Sequence, residues 1–122
     1  MWWVFAFIVL LALWQGLLKY IAPRLYLVCG HSMLYTLEED QVVMGFKLMP
    51  GEPLKDGRIY GYILPGDDKY WVIKRLAYHE EDRCFFIGDN ADNSVDSRDY
   101  GLVDRNRIKF VVYWYYGMTR EE

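Results

Sequence analysis

The sequence predicts a small all-β domain, a folded sheet or barrel-like body, preceded by one N-terminal transmembrane helix. Three observations predict it. The chain opens on an apolar run of helix length, apolar residues beyond Pro23 recur at strand spacing, and clusters of Gly, Pro and acidic residues cut the remainder into six short runs. Its 122 residues suffice for one body whose core folds without a set of disulfides.

The opening run, "WWVFAFIVLLALWQGLLKYIA" over residues 2–22, holds one charge, Lys19, and one strongly polar amide, Gln15. A helix needs about 20 such residues to cross a bilayer, so residues 1–22 are assigned as an anchor and 23–122 as the β-rich body. Trp2, Trp3, Trp14 and Tyr20 carry amphipathic rings, and those near the two ends suit headgroup depth. A cleavable signal peptide is the competing reading, but it normally starts with basic residues and has a shorter apolar core. Nothing basic precedes this run, whereas Lys19 and Arg24 end and follow it. Taken alone, the positive-inside rule would place the body in the cytoplasm.

Strands are expected in "RLYLV" (24–28), "QVVMGF" (41–46), "RIYGYIL" (58–64), "YWVIKRLAY" (70–78), "RCFFIG" (83–88) and "RIKFVVYWYY" (107–116), all rich in β-branched and aromatic residues. "MPGEP", "PGDD" and "HEED" supply turns between them. The last run carries aromatic side chains on both faces. One face fills the core; the other, Tyr113 with Tyr115 or Trp114 with Tyr116, is expected to lie exposed or to touch the membrane interface.

The formal net charge of −3 comes without a basic stripe, which excludes nucleic acid as a partner. Cys29 and Cys84 match no metal spacing and are expected as buried free thiols, with a disulfide as the alternative in an oxidising compartment. "GDNADNSVDSR" (88–98) is rich in oxygen ligands but lacks calcium-loop spacing: counted from Asp92, the sixth residue is Ser97 and the twelfth Val103, where Gly and Glu are needed. No metal and no cofactor is expected, and a polar turn is the plain alternative for this stretch.

One strand combines charge with apolar neighbours. In "YWVIKRLAY" period two places Val72, Lys74 and Leu76 on one face and Trp71, Ile73 and Arg75 on the other. Burial there lowers a lysine from its usual value near 10.4, each unit costing about 1.4 kcal/mol. The alternative is an edge lysine that snorkels to water. Upstream, "CGHSMLYTL" (29–37) sets Ser32 in a turn behind Gly30.

In order, the anchor, Ser32–Met33 with Thr36–Leu37, the strand bearing Lys74–Arg75, and "GDNADNSVDSRDYGLV" resemble the type I signal peptidases. These are serine–lysine endopeptidases that remove signal peptides from exported proteins. The resemblance runs from the anchor to about Val103 and is most specific at Gly88, Asp89, Asn90, Asn93, Ser94, Asp96, Ser97, Arg98, Gly101 and Val103. It implies Ser32 as nucleophile, Lys74 as general base and Ser94 as the hydroxyl that orients the base. It also implies Asp96 and Arg98 as a structural ion pair with Arg75 nearby. A serine needs a neutral amine to take its proton, and the backbone N–H of Ser32 is a candidate donor to the oxyanion.

The family binds preprotein signal peptides as extended strands with small residues one and three positions before the cut. Tyr26, Val28, Met33, Leu37, Val72 and Ile73 are the implied pocket walls. A single-pass protein of the cell membrane with an extracytoplasmic catalytic domain follows from the resemblance, which outweighs the charges at Lys19 and Arg24. Preproteins and the lipid bilayer are the implied partners. The chain departs from the family at Tyr35, where proline is usual, and at Gly30, where some members have a serine oxyanion donor. It also lacks a large cap between Arg75 and Gly88 and would be a minimal form. Three rivals remain: a Ser–His–Asp hydrolase using His79 or His31, a cytoplasmic self-cleaving repressor with a Ser–Lys dyad, which would lack the anchor and "GDNADNSVDSR", and an inactive membrane-tethered β module that binds peptides or partner proteins.

Overall fold

A computed structural model describes residues 1–34 and 36–115, apart from the side chains of residues 20, 114 and 115. Helix α1 spans Trp2–Ile21, 20 residues, which at 1.5 Å per residue is about 30 Å, the thickness of a bilayer's hydrocarbon core. It stops where Ala22 turns extended, at φ −65° and ψ 145°. Pro23 causes this, since it has no N–H to continue the ladder and crowds the residue before it out of the helical region. The stretch Trp2–Lys19 is long and apolar enough to cross a membrane, and none of its residues is buried.

Seven strands make the body: β1 Arg24–Leu27, β2 Val42–Lys47, β3 Ile59–Ile63, β4 Trp71–Glu80, β5 Arg83–Ile87, β6 Val103–Asp104 and β7 Ile108–Tyr115. They form one antiparallel sheet in the order β1-β2-β7-β3-β4-β5-β6. The last strand therefore enters the middle of the sheet, between β2 and β3. Register shifts at Met44/Gly45, Gly61/Tyr62 and Leu76/Tyr78 add local twist and curl the sheet into a half-barrel. All six expected runs are strands. The seventh, β6, has two residues, too few to show alternation in sequence. A single-turn helix, α2 (Ser97–Tyr100), lies between β5 and β6.

Alternation along the strands sorts the apolar side chains into two clusters. One holds Val28, Met33, Leu37, Val43, Ile59, Ile73, Phe110 and Val112; the other holds Tyr60, Tyr62, Leu76, Cys84, Phe86, Val103 and Val111. Ile73 belongs to the first cluster, while Val72 packs on the second and Leu76 lies within it, as period two requires. At the centre of the first, Tyr26 stacks on Phe110 at 3.8 Å between ring centroids and Trp71 meets it edge-on at 5.5 Å. Gly45 and Gly61, on the two strands flanking β7, make room for this ring: a Cβ at either position would overlap Phe110.

Two expectations need revision or bounds. Both cysteines are free, but Cys29 is exposed rather than buried, because Val28 takes the inward position at the end of β1 and the next residue points away. Tyr113 is exposed; its hydroxyl donates to Glu52 at 3.1 Å and the Arg58 guanidinium lies 4.2 Å above its ring. Tyr35 and Tyr116 lie outside the described residues, as do the side chains of Trp114 and Tyr115.

Replacing Gly61 tests the ring's seat. Gly61→Ala forces Phe110 off its place, and overpacking of this kind costs about 1–3 kcal/mol. Thermal unfolding of the full chain in detergent micelles should show a matching fall, whereas an unchanged midpoint would mean that the ring has room to swing.

Candidate active site

Lys74 stands in the first half of β4, paired with Tyr60 of β3, and the pairing of β4 with β5 begins at the next residue, Arg75. Only 5% of it is exposed. Its amine Nζ lies 2.8 Å from Ser32 Oγ and donates to it, the one hydrogen bond of this amine among the described residues. Burial pushes the Lys74 ammonium below the ordinary lysine value, and the negative charge of Asp96 opposes that shift without cancelling it. The arrangement holds an amine that gives up its proton more readily than a solvated lysine, in direct reach of one hydroxyl.

Ser32 sits in the turn between β1 and β2. The N–H of Leu34 donates to His31 O at 3.2 Å, and those of Thr36 and Leu37 donate to Met33 O at 2.9 and 2.8 Å. Met33 and Leu37 bury themselves in the core and so fix the turn from beneath. Residues 88–90 grip it from the other side. Asn90 donates through its N–H to Ser32 O at 2.8 Å and through Nδ2 to His31 O at 2.9 Å. Asp89 accepts from the Thr36 hydroxyl. Gly88 passes so close that an added Cβ would lie 2.6 Å from Ser32 O and would overlap the Ser94 hydroxyl. The N–H of Ser32 donates to no group among the described residues.

Two carboxylates organise this segment. Asp89 takes Arg75 as a fork, with Nε to Oδ1 at 2.9 Å and Nη2 to Oδ2 at 2.7 Å, while Arg75 Nη1 donates to Gly57 O at 2.6 Å. Asp96 has no exposed surface. It accepts from the N–H of Gly88 at 2.9 Å, from Ser94 Oγ at 2.7 Å, from the N–H of Arg98 at 3.1 Å, and from Arg98 Nε and Nη2 at 2.9 Å each. Its own N–H donates to Asp99 Oδ2 at 3.0 Å, completing a capping box at the start of α2. Burial alone would raise both carboxyls. The donors outweigh it: Arg98, Gly88 and Ser94 hold Asp96 well below the usual carboxylate range, and Arg75 with Thr36 hold Asp89 below it too.

Of the residues singled out in sequence, Ser32 and Lys74 are brought together, and Asp96 pairs with Arg98 at 2.9 Å. The Ser94 hydroxyl donates to Asp96 at 2.7 Å and makes no hydrogen bond to Lys74 among the described residues. Arg75 forms its ion pair with Asp89 at 2.7 Å. Of the implied pocket walls, Val28, Met33, Leu37 and Ile73 share one core cluster with Tyr26 against it, while Val72 packs on the other cluster. Leu37 has no exposed surface and backs the turn. His31 lies 3.4 Å from Glu39, His79 lies 2.7 Å from Asp56, and neither side chain hydrogen-bonds Ser32. Sequence reasoning assigned no part to Thr36 or Asn90, which together with Asp89 clamp the serine turn.

Searches against protein-family models and against curated proteins find no match for this chain. Its chemistry is therefore read from the geometry just described.

Gly88→Ala would drive a methyl against the Ser32 carbonyl and lower stability by about 1–3 kcal/mol, measurable by thermal unfolding in micelles. Lys74→Met tests the buried amine. The unfolded chain binds the lysine proton more tightly than the folded one. The cost of burial is therefore felt in full below the folded value and disappears as pH rises through about 10.4. The Met variant should be more stable than the parent near neutral pH, with the gap closing toward pH ~10; a gap that widens with pH would contradict a depressed amine.

Proposed function

We propose that this chain is a membrane-tethered serine endopeptidase that removes signal peptides from exported preproteins, in the manner of the type I signal peptidases it resembles. The observation that carries the proposal is the 2.8 Å approach of Lys74 Nζ to Ser32 Oγ in surroundings that disfavour the ammonium. Neutral Lys74 takes the hydroxyl proton as Oγ attacks the scissile carbonyl carbon. The resulting oxyanion is met by the N–H of Ser32, a kind of donor worth about 3–4 kcal/mol when deleted. Lys74 then returns the proton to the departing amine, leaving an ester on Ser32. A water that loses its proton to the same amine releases the signal peptide as a free carboxylate.

Ser94 enters as a positioning residue acting through Asp96, whose charge in turn tempers the fall of the lysine's proton affinity. The α1 helix supplies the tether. On this reading the body stands on the extracytoplasmic side, where emerging preproteins are cut, despite the basic residues that follow the helix.

The test is to incubate the full chain in detergent with a preprotein and map the new amino terminus. Cleavage after a small residue is expected, with Ser32→Ala and Lys74→Ala each losing at least about 10³-fold. Cleavage that survives Lys74→Ala removes the proposed base, and no cleavage by the parent favours a binding module. The rate should also rise with pH as Lys74 sheds its proton and then level off. A rate flat from about pH 6 to 9 counts against a lysine base.

A further inference from the structure

Four cations from four separate stretches converge where α1 meets the sheet: Lys19 in the last turn of the helix, Arg24 at the start of β1, Lys47 at the end of β2 and Lys109 in β7. They line a cleft of about 360 Å³ together with Tyr26 and Ile108, and no carboxylate lines it. Among the described residues, none of Lys19, Arg24 and Lys109 has a carboxylate within salt-bridge distance. In a chain of net charge −3, this is a local reversal of sign. Lys47 also borders a second cleft, walled by Ile21, Phe46, Met49 and Tyr113. The one acid there, Glu52, already accepts from the Met49 N–H and the Tyr113 hydroxyl.

Depth decides what such a pair of clefts meets. A helix of 20 residues matches the hydrocarbon core, so its last turn, with Lys19 and Ile21, lies at the headgroup layer, where lipid phosphates are concentrated. A free anion would be served by the basic cleft alone. An apolar cleft sharing a wall with it suits a ligand whose phosphate is joined to hydrocarbon.

We propose that the basic cleft binds the phosphate of an anionic phospholipid and that an acyl chain of the same lipid runs into the adjoining apolar cleft. Bound there, the lipid ties the sheet to the end of the anchor and sets the body's attitude to the bilayer. The proposal needs α1 in a membrane but neither the serine nor the lysine of the candidate active site, so its test reads lipid retention and not cleavage.

The test titrates the full chain in detergent micelles with phosphatidylglycerol or with phosphatidylcholine of the same acyl chains, counting retained lipid by native mass spectrometry. The parent should retain phosphatidylglycerol at least about tenfold more tightly. Each cation removed at an anionic surface weakens binding about fivefold, so the triple variant Lys19→Gln, Arg24→Gln, Lys109→Gln should lose about a hundredfold for phosphatidylglycerol and little for phosphatidylcholine. Arg24→Lys with Lys109→Arg should retain binding, and Arg83→Gln, at the start of β5 and lining neither cleft, should match the parent. Equal retention of the two lipids by the parent overturns the proposal without any variant having to fold. So does phosphatidylglycerol retention unchanged in the triple variant, or its displacement by millimolar inorganic phosphate, which would mark a site for a free anion.

Discussion

Asp96 is a carboxylate with no exposed surface, and a charge in that position is tolerable only where donors replace the water it has lost. Gly88, Ser94 and Arg98 supply them, so the charge draws both ends of the 88–98 segment onto itself. Folding that segment back is what presses Gly88 against the Ser32 carbonyl and brings Asn90 onto the serine turn. The position of Ser32 over Lys74 thus depends on an ion pair that touches neither. The same charge acts on the amine in the opposite sense to burial, and burial is the larger influence. The net result is a depressed lysine beside an ionised acid, which neither influence alone would produce.

The strands and the helix were legible because each rests on a pattern carried by neighbouring residues. The apolar run before Pro23 and the alternation in "YWVIKRLAY" report burial directly, and the prediction that Lys74 shares a face with Val72 and Leu76 needed only the pleat. What the sequence concealed were partners set by register and by loops. The turn at residues 81–82 places Arg75 near the end of β5, and a bulge at Leu76/Tyr78 shifts the pairing so that Arg75 faces Ile87, just ahead of Asp89. A bulge leaves no mark in composition, so the Arg75–Asp89 fork could not be read beforehand. The Ser94–Asp96 bond was hidden for a related reason: spacing in sequence does not reveal which neighbouring acceptor a hydroxyl reaches.

The basic cleft was concealed more completely. Lys19, Arg24, Lys47 and Lys109 belong to a helix end and three strands, and no window of sequence holds more than two of them. They meet because β7, the last strand, inserts beside β2 rather than at an edge. Phe110 holds that insertion: its ring needs glycines on both flanking strands and the stacked face of Tyr26, the strand β1 residue nearest the helix among those packed on it. Lys109, the residue before Phe110 on β7, lines the cleft together with Tyr26, whose ring stacks on Phe110.

A base must be aimed as well as neutral. A second hydroxyl bonded to the amine would aim it, but among the described residues Ser94 bonds Asp96 and the Lys74 amine hydrogen-bonds Ser32 alone. Aim must then come from exclusion. Val72 and Leu76 along the strand and Tyr60 across it surround the lysine stem with the second apolar cluster, and the amine's one hydrogen bond among the described residues is to Ser32. Desolvation therefore does two things on the proposed reading: it frees the lone pair by disfavouring the proton, and it leaves that lone pair a single target, the hydroxyl of Ser32.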